Sequence, residues 1–342
     1  MLSENRAARR SRILAMGVGA LVSFHAAVAW GAEPVKIRVS WIAPVTNWAS
    51  ILLEKKDLAR HLGKSYLLEP VRYVGTPQMI TALANRELEI ANLAFSTLPI
   101  AIQNAGLDDL RVIADELQDG VDGYYSQEYM VLADGPIKSI ENLKGKVVAT
   151  VAAGAAVDVA IRTMLRKHGL EDKRDYAMVE APLPTMRAML AERKADLVPV
   201  VLPFALDPEL RRIARPLFYN RDVVGVTQLL VWCARQSFLE QNRAAMVDFM
   251  EDTLRITRWF LDPANHDEVA AISGRLTKQP PERFGWPFTK QDYYHAPDMR
   301  PNLDALQKNV AMMRDLGFVT AEIDVKKYSD LSLIEAASRR PK

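Results

Sequence analysis

The residues able to do chemistry are few and scattered. Beyond residue 32 the chain holds four histidines, His61, His168, His266 and His295, and one cysteine, Cys233. No histidine stands at metal-ligand spacing from another or from the cysteine. No G-x-S-x-G elbow, phosphate loop, dinucleotide glycine fingerprint or H-E-x-x-H helix occurs, and the carboxylates form no evident acid–base pair. Cys233 lies in the apolar run Leu229–Ala234, the setting of a buried core thiol. No catalytic residue, metal ligand or cofactor is therefore expected. What remains is binding chemistry. Hydroxyls and small residues stand where strands hand over to helices, at Gly75-Thr76-Pro77, at Ser96-Thr97 and at Ala152-Ala153-Gly154-Ala155-Ala156. The free N–H groups of helix N-termini can hold an anion at such places.

The elements that position these turns fall into two series. Lys36–Ile42, Tyr66–Tyr73, Leu88–Phe95 and Leu110–Ala114 read as strands. Between them lie a helix capped by Asn47 and running to His61, a helix opened by Thr76-Pro77, and one capped by Ser96 or Thr97. Asp119–Gln127 carries two glycines and breaks the pattern, as a connection between domains would. The second series has strands near Tyr129–Ala133, Val147–Val151, Tyr176–Glu180 and Ala195–Val201. Helices follow Ala155 and Thr185, and Gly169 closes the first of them. Thr227–Ala234 is a further extended run. A long helix, Phe238–Leu261, capped by Ser237, and another over His266–Leu276 follow. Lys278–Pro301 is proline- and aromatic-rich and reads as a surface loop or as a wall of a cleft. Leu303–Leu316 is a last helix, and a disordered tail is expected over 338–342. Alternation of this length predicts α/β domains, each a mostly parallel sheet flanked by helices.

With 49% hydrophobic and 25% charged residues the composition is that of a soluble globular protein, and a formal charge of +2 gives no reason to expect nucleic acid. The start resembles a secretory signal: Arg6, Arg9, Arg10 and Arg12, then the apolar Ile13–Val22, then Ala27-Val28-Ala29, with cleavage within about 29–32. The first 32 residues carry four arginines and one glutamate, so the remainder has a formal charge of −1. Export favours a binding protein over an enzyme.

Three stretches carry a family resemblance. Gly75-Thr76-Pro77-Gln78, Ala82-Leu83 and Glu87–Ala91 form the first. Ile137–Val148 (IKSIENLKGKVV) is the second, and Ala195-Asp196 followed by Pro203 is the third. Together they resemble the periplasmic solute-binding proteins of ABC importers, in the NMT1-like group serving nitrate, taurine, aliphatic sulfonates and thiamine precursors. Asn142 stands where that family more often has Asp, and Lys194 where it has Gly. The resemblance runs from about Val35 to Gln241. It implies a type II fold of two α/β lobes joined by two crossing strands that act as a hinge. Lobe one is then 33–126 plus 232–337 and lobe two 127–231, with crossings near Tyr124–Tyr129 and Thr227–Ala234.

The cleft residues follow from strand ends and helix starts. Lobe one is expected to contribute Trp41, Thr46, Gly75, Thr76, Phe95, Ser96 and Thr97. The hinge adds Tyr124 and Tyr125, lobe two Ala153, Gly154, Ala155, Pro203 and Phe204, and the return crossing Thr227 or Gln228. Many relatives place Ser or Thr in the lobe-two turn, where this chain has alanines. That points to an organic anion with an apolar or aromatic body, a sulfonate or carboxylate, over bare nitrate. The expected partners are that solute and an inner-membrane ABC permease, with the protein a monomer in the periplasm. Two other functions fit the same fold. One is an enzyme of pyrimidine-precursor or menaquinone type, the other a periplasmic ligand-sensing module.

Overall fold

The computed structural model describes residues 33–340. The expected signal segment, and the last two residues of the expected tail, lie outside them. In chain order the strands are β1 (Val35–Trp41), β2 (Tyr66–Arg72), β3 (Ile90–Ala94), β4 (Leu110–Asp119) and β5 (Glu128–Leu132). There follow β6 (Val147–Thr150), β7 (Ala177–Glu180), β8 (Val198–Val200), β9 (Ala214–Tyr219) and β10 (Thr227–Arg235). The helices are α1 (Thr76–Ala84), α2 (Thr97–Asn104), α3 (Ala156–Lys167), α4 (Met186–Ala191), α5 (Pro208–Ile213) and α6 (Asn220–Val224). After β10 come α7 (Gln236–Gln241), α8 (Arg243–Leu261), α9 (His266–Thr277), α10 (Leu303–Asp315) and α11 (Ser332–Ser338).

One sheet runs β2-β1-β3-β10-β4. β1 is parallel to β2 and β3, while β10 is antiparallel to both β3 and β4. The other lies around β5, antiparallel to β8 and β9. The parallel pair β6-β7 joins it through the Val148–Leu197 bridge and the 2.8 Å bond from Ala149 N to Leu197 O. α8 and α11 cover one face of the larger sheet, where Trp232, Phe249, Phe260 and Leu333 form a buried cluster. α3 covers the smaller sheet with Val157, Ile161 and Leu165. This is the α/β architecture that the strand–helix alternation predicts. Among the described residues no helix is long and apolar enough to cross a membrane.

Several local expectations change. The stretch after Asn47 is two 3₁₀ segments, Trp48–Ser50 and Leu52–Leu58, with a break at Lys55 (φ −119°, ψ 49°). Asn47 does not cap forward. Its Oδ1 accepts from Ile42 N and Ala43 N, both at 2.9 Å, and so folds the chain back onto the end of β1. The single helix expected over Phe238–Leu261 breaks at Asn242 into α7 and α8, and Ser237 lies inside α7. The return crossing falls earlier than Thr227–Ala234, because β10 is hydrogen-bonded between β3 and β4 from Thr227 onward. We place it at residues 220–226. Lys278–Pro301 is well packed: Phe284, Trp286 and Tyr293 are buried, and its backbone bonds β4 through Gln118 N to Tyr294 O at 2.8 Å and Asp115 N to Met299 O at 2.7 Å. In the expected tail, Ser338 ends α11 and Arg340 reaches Asp248 and Glu251.

The two connections between the sheets touch each other. Gly120 has φ +75°, and a Cβ there would lie 2.5 Å from the Gly225 carbonyl oxygen. Gly145 has a similar φ of +74° with nothing within 4 Å. Gly145→Ala should cost about 1 kcal/mol of left-handed strain. Gly120→Ala adds a backbone clash and should cost at least about 2 kcal/mol. Urea unfolding of the two variants beside the parent checks the ordering.

Candidate functional site

A cavity of about 80 Å³ lies between the two sheets. That is room for several waters or the head of a small organic molecule. The larger sheet supplies Ile42 and Ala43 at the end of β1, Thr46 and Asn47 beyond it, and Gly75-Thr76 at the start of α1. Ala94, Leu117, Leu229 and Leu230 add an apolar floor. The smaller sheet supplies Val151, the start of α3 (Ala155, Ala156, Val157), Leu183, Val201 and Leu202. Gln127 comes from the first crossing and Tyr293 from the aromatic stretch. None of the lining side chains is an Arg, Lys, His, Asp or Glu.

The position of the cavity follows from local chemistry. β1 and β6 each end in a turn that feeds a following helix or 3₁₀ segment, so strand carboxyl ends and helix N-termini converge there. α1 and α3 both begin at the cavity wall. The first-turn N–H groups of a helix have no partner within it and carry partial positive charge. Two side-chain donors stand beside them. Thr76 is 4% exposed and Asn47 1%; the Thr76 hydroxyl has no hydrogen-bond partner among the described residues, and the Asn47 amide faces the Glu116 carboxyl. The Asn47 Oδ1 is already committed to the backbone.

Two hydrogen bonds close the walls on each other. Ser96 Oγ donates to the Gly154 carbonyl at 2.9 Å, and Thr46 Oγ1 donates to the Leu202 carbonyl at 3.2 Å. Beside the cavity lies an open groove of about 810 Å³, walled in part by Trp41, Pro203 and Phe204.

Of the residues expected at the site, Thr46, Gly75, Thr76 and Ala155 line the cavity, and Trp41, Pro203 and Phe204 line the groove. Ser96 and Gly154 form the bridge just described. The others are placed elsewhere. Phe95 is a buried core residue. The Thr97 hydroxyl is spent on its own turn, accepting from Ala94 N at 2.9 Å and donating to Ala94 O at 3.2 Å. Tyr124 packs edge-on against Tyr294, with centroids 5.2 Å apart. Tyr125 packs edge-on against Tyr293, and its hydroxyl donates to Val200 O at 3.2 Å. The Ala153 N–H donates to Glu180 Oε1 at 2.7 Å on another face. Thr227 is buried with its hydroxyl on the Gly225 carbonyl. Gln228 is fully buried, donating to Asp115 Oδ1 at 2.6 Å and accepting from Asn302 N at 2.6 Å, so it braces β4 and β10. Asn47, Leu117, Gln127 and Tyr293 were not expected. Asn47 carries the signal of a polar residue just past a strand end, Gln127 lies in the expected first crossing, and Tyr293 lies in the stretch that read as a loop or a cleft wall.

Elsewhere, His61 lies with Asp248 and Glu251, a constellation able to hold a metal. Arg340 and Arg255 already pair with these carboxylates. Cys233 is fully buried, and burial pushes its thiol up, away from the thiolate.

Beneath the cavity, β4 buries three carboxyls. Burial pushes Asp115 and Asp119 up to about 6 and Glu116 up to about 8. Asp115 accepts from Gln228 and from Ala296 N, Glu116 from Trp48 N, and Asp119 from Ser126 Oγ and Gln127 N. Because folding raises these values, the folded state binds protons more tightly than the unfolded chain. Their contribution is full below about pH 4 and is lost as pH rises through about 6 for the aspartates and about 8 for Glu116. Glu116→Gln keeps the acceptor for Trp48 N. It should gain on the parent by about 1 kcal/mol or more between pH 5 and pH 9. Chemical denaturation at both pH values checks this; a difference independent of pH would show that Glu116 does not titrate in this range.

Two α/β sheets joined by two crossing segments, with a cavity enclosed between them, make the architecture of the type II periplasmic binding proteins. The chain belongs to the NMT1-like family, which it matches over residues 31–274. It is similar in structure to the periplasmic nitrate-binding protein NrtA of Synechocystis PCC 6803, with TM-score 0.68 and 16% identity over 90% of this chain and 89% of that one. It is similar also to the periplasmic aliphatic sulphonate binding protein SsuA of Escherichia coli, with TM-score 0.62 and 16% identity over 87% of this chain and 92% of that one. The desulfurization enzyme DSZB shares the fold, with TM-score 0.63 and 13% identity over 89% of this chain and 99% of that one. At these identities the likenesses establish the fold. No curated protein is significantly similar to the chain.

Proposed function

We propose that the chain is the exported solute-binding component of an ABC importer. It captures a small organic anion, a sulfonate or carboxylate, between its two lobes and delivers it to a membrane permease. The lobes correspond to the two sheets, and the connections at Gly120 and Gly225 form the hinge. The observation that carries this reading is the Thr76 hydroxyl, buried at the cavity wall without a partner, beside the Asn47 amide and the starts of α1 and α3. Groups so placed are satisfied by an acceptor from outside the chain. A head-group oxygen fits, and the apolar lining then excludes water around it.

Capture is a population shift. A ligand that touches Thr76 on one side and the start of α3 on the other meets both walls only when they are closed, so it binds the closed state better. The bridges Ser96–Gly154 and Thr46–Leu202 help hold that state.

The desulfurization enzyme on the same fold makes an enzyme the second reading. The cavity lining argues for binding, because it holds no histidine, cysteine, carboxylate or cation to move a proton or attack a bond. The basic, apolar, small-residue N-terminus supports export to the periplasm.

Native mass spectrometry of the protein, purified from the periplasm without refolding, should show one small organic anion that is lost on denaturation. Thr76→Val removes the hydroxyl at constant shape and should weaken capture of that molecule about tenfold, with little change in stability. Retention of full affinity in this variant would remove the hydroxyl from the site, and a protein found only in the cytoplasm would return the enzyme reading.

A further inference from the structure

The groove beside the cavity is built from the same pieces of chain. Ala43 lines the cavity and Pro44 the groove; Leu183 the cavity and Pro184 the groove; Leu202 the cavity and Pro203 the groove. Three short segments therefore form the partition between the two spaces. A molecule seated in the cavity reaches the groove by passing between these segments.

The chemistry of the two spaces differs. The cavity offers neutral donors among apolar side chains. The groove, about 810 Å³, has aromatic walls at Trp41, Phe204, Phe284 and Trp286, and it carries arginines. Arg187 is occupied, its Nε 3.2 Å from Asp207, which with Glu209 gives it two carboxylate neighbours. Arg72 and Arg283 are exposed and have no carboxylate partner among the described residues. The Arg72 guanidinium lies over the Trp41 ring, 5.1 Å from its centroid, and Arg283 bonds only the Gln279 amide, at 3.2 Å. Three arginines face two carboxylates, so the groove keeps a net positive charge. An isolated surface arginine is ordinarily just solvated. These two border one aromatic groove, next to the cavity that holds the Thr76 hydroxyl.

We propose that the solute is a two-ended organic acid. One acidic head sits in the cavity, a flat apolar body lies against Trp41 and Phe204, and a second acidic group is held by Arg72 and Arg283. This rests on the solute-binding reading above and adds the class of solute. The Arg72 guanidinium over Trp41 can present its N–H donors to a planar carboxylate without giving up the aromatic contact.

The test uses matched probes: 4-sulfobenzoate beside benzenesulfonate, and the 4′-carboxy derivative of biphenyl-4-sulfonate beside biphenyl-4-sulfonate. Affinities are measured by calorimetry on the parent chain and on the double variant Arg72→Gln, Arg283→Gln. Both positions are exposed, so the variant keeps its fold, and thermal unfolding confirms that. For at least one pair the two-ended acid should bind the parent about tenfold tighter or more than its one-ended analogue. The double variant should lose that advantage and bind the one-ended acid as before. Equal affinities within both pairs, or an advantage that survives in the variant, would overturn the inference while leaving capture of one-ended anions standing. Absence of binding by all four probes would overturn the inference as well; the mass of the co-purified molecule then decides the solute-binding reading separately.

Discussion

Burying a hydrogen-bond donor without a partner costs about 1–3 kcal/mol. The cleft does this at the Thr76 hydroxyl, almost wholly removed from solvent. A closed cleft that offers this donor no acceptor carries that cost, and one that holds an acceptor does not. On the proposed reading, that difference lets a solute favour the closed state, because a ligand can shift a conformational equilibrium only by its differential affinity for the two states. The apolar lining raises the stake, since a hydrogen bond made there competes with little water.

The rest of the structure keeps that donor in place. β1 ends where Asn47 turns back to hold the Ile42 and Ala43 N–H groups, which fixes its side chain at the cavity wall beside Thr76. β4 acts as a spine along the floor. Its carboxyls reach Trp48, Gln228, Ser126 and the aromatic stretch through Ala296, tying the 3₁₀ segments, β10, the first crossing and residues 278–301 to one strand. Three buried carboxyls on one strand are costly, and each accepts at least one hydrogen bond from a backbone N–H or a neutral side chain. The same strand leads into Gly120, where the two connections meet, so the floor of the site is continuous with the proposed hinge.

The regular part of this architecture is legible in the sequence because it is local. Alternating strand and helix periods, the glycine after α3 and the small-residue turn at Ala152–Ala155 depend on neighbours in the chain. What was not legible is non-local. Insertion of β10 antiparallel between β3 and β4 depends on pairing across more than a hundred residues, and nothing in Thr227–Arg235 announces its partners. Asn47 reads as a helix cap, since the type of residue does not reveal that its oxygen bonds backward. The proline- and aromatic-rich stretch at 278–301 left open whether it was a surface loop or a cleft wall; Tyr293 at the cavity and Trp286 at the groove place it against the cleft. For the site, strand-end reasoning found Thr46, Gly75, Thr76 and Ala155. It selected Gln228, Thr97 and Tyr124 as well, whose polar groups or rings are taken up by the protein itself. Only the hydrogen-bond inventory separates a hydroxyl that is used internally from one that is left over.

The most direct test of the account is a crystal structure of the protein as purified from the periplasm, without refolding or added ligand. The account predicts one organic molecule between the sheets, with an oxygen within hydrogen-bond distance of the Thr76 hydroxyl and contact to the start of α3. A bound molecule that leaves the Thr76 hydroxyl unpaired, or that touches one sheet alone, would contradict it.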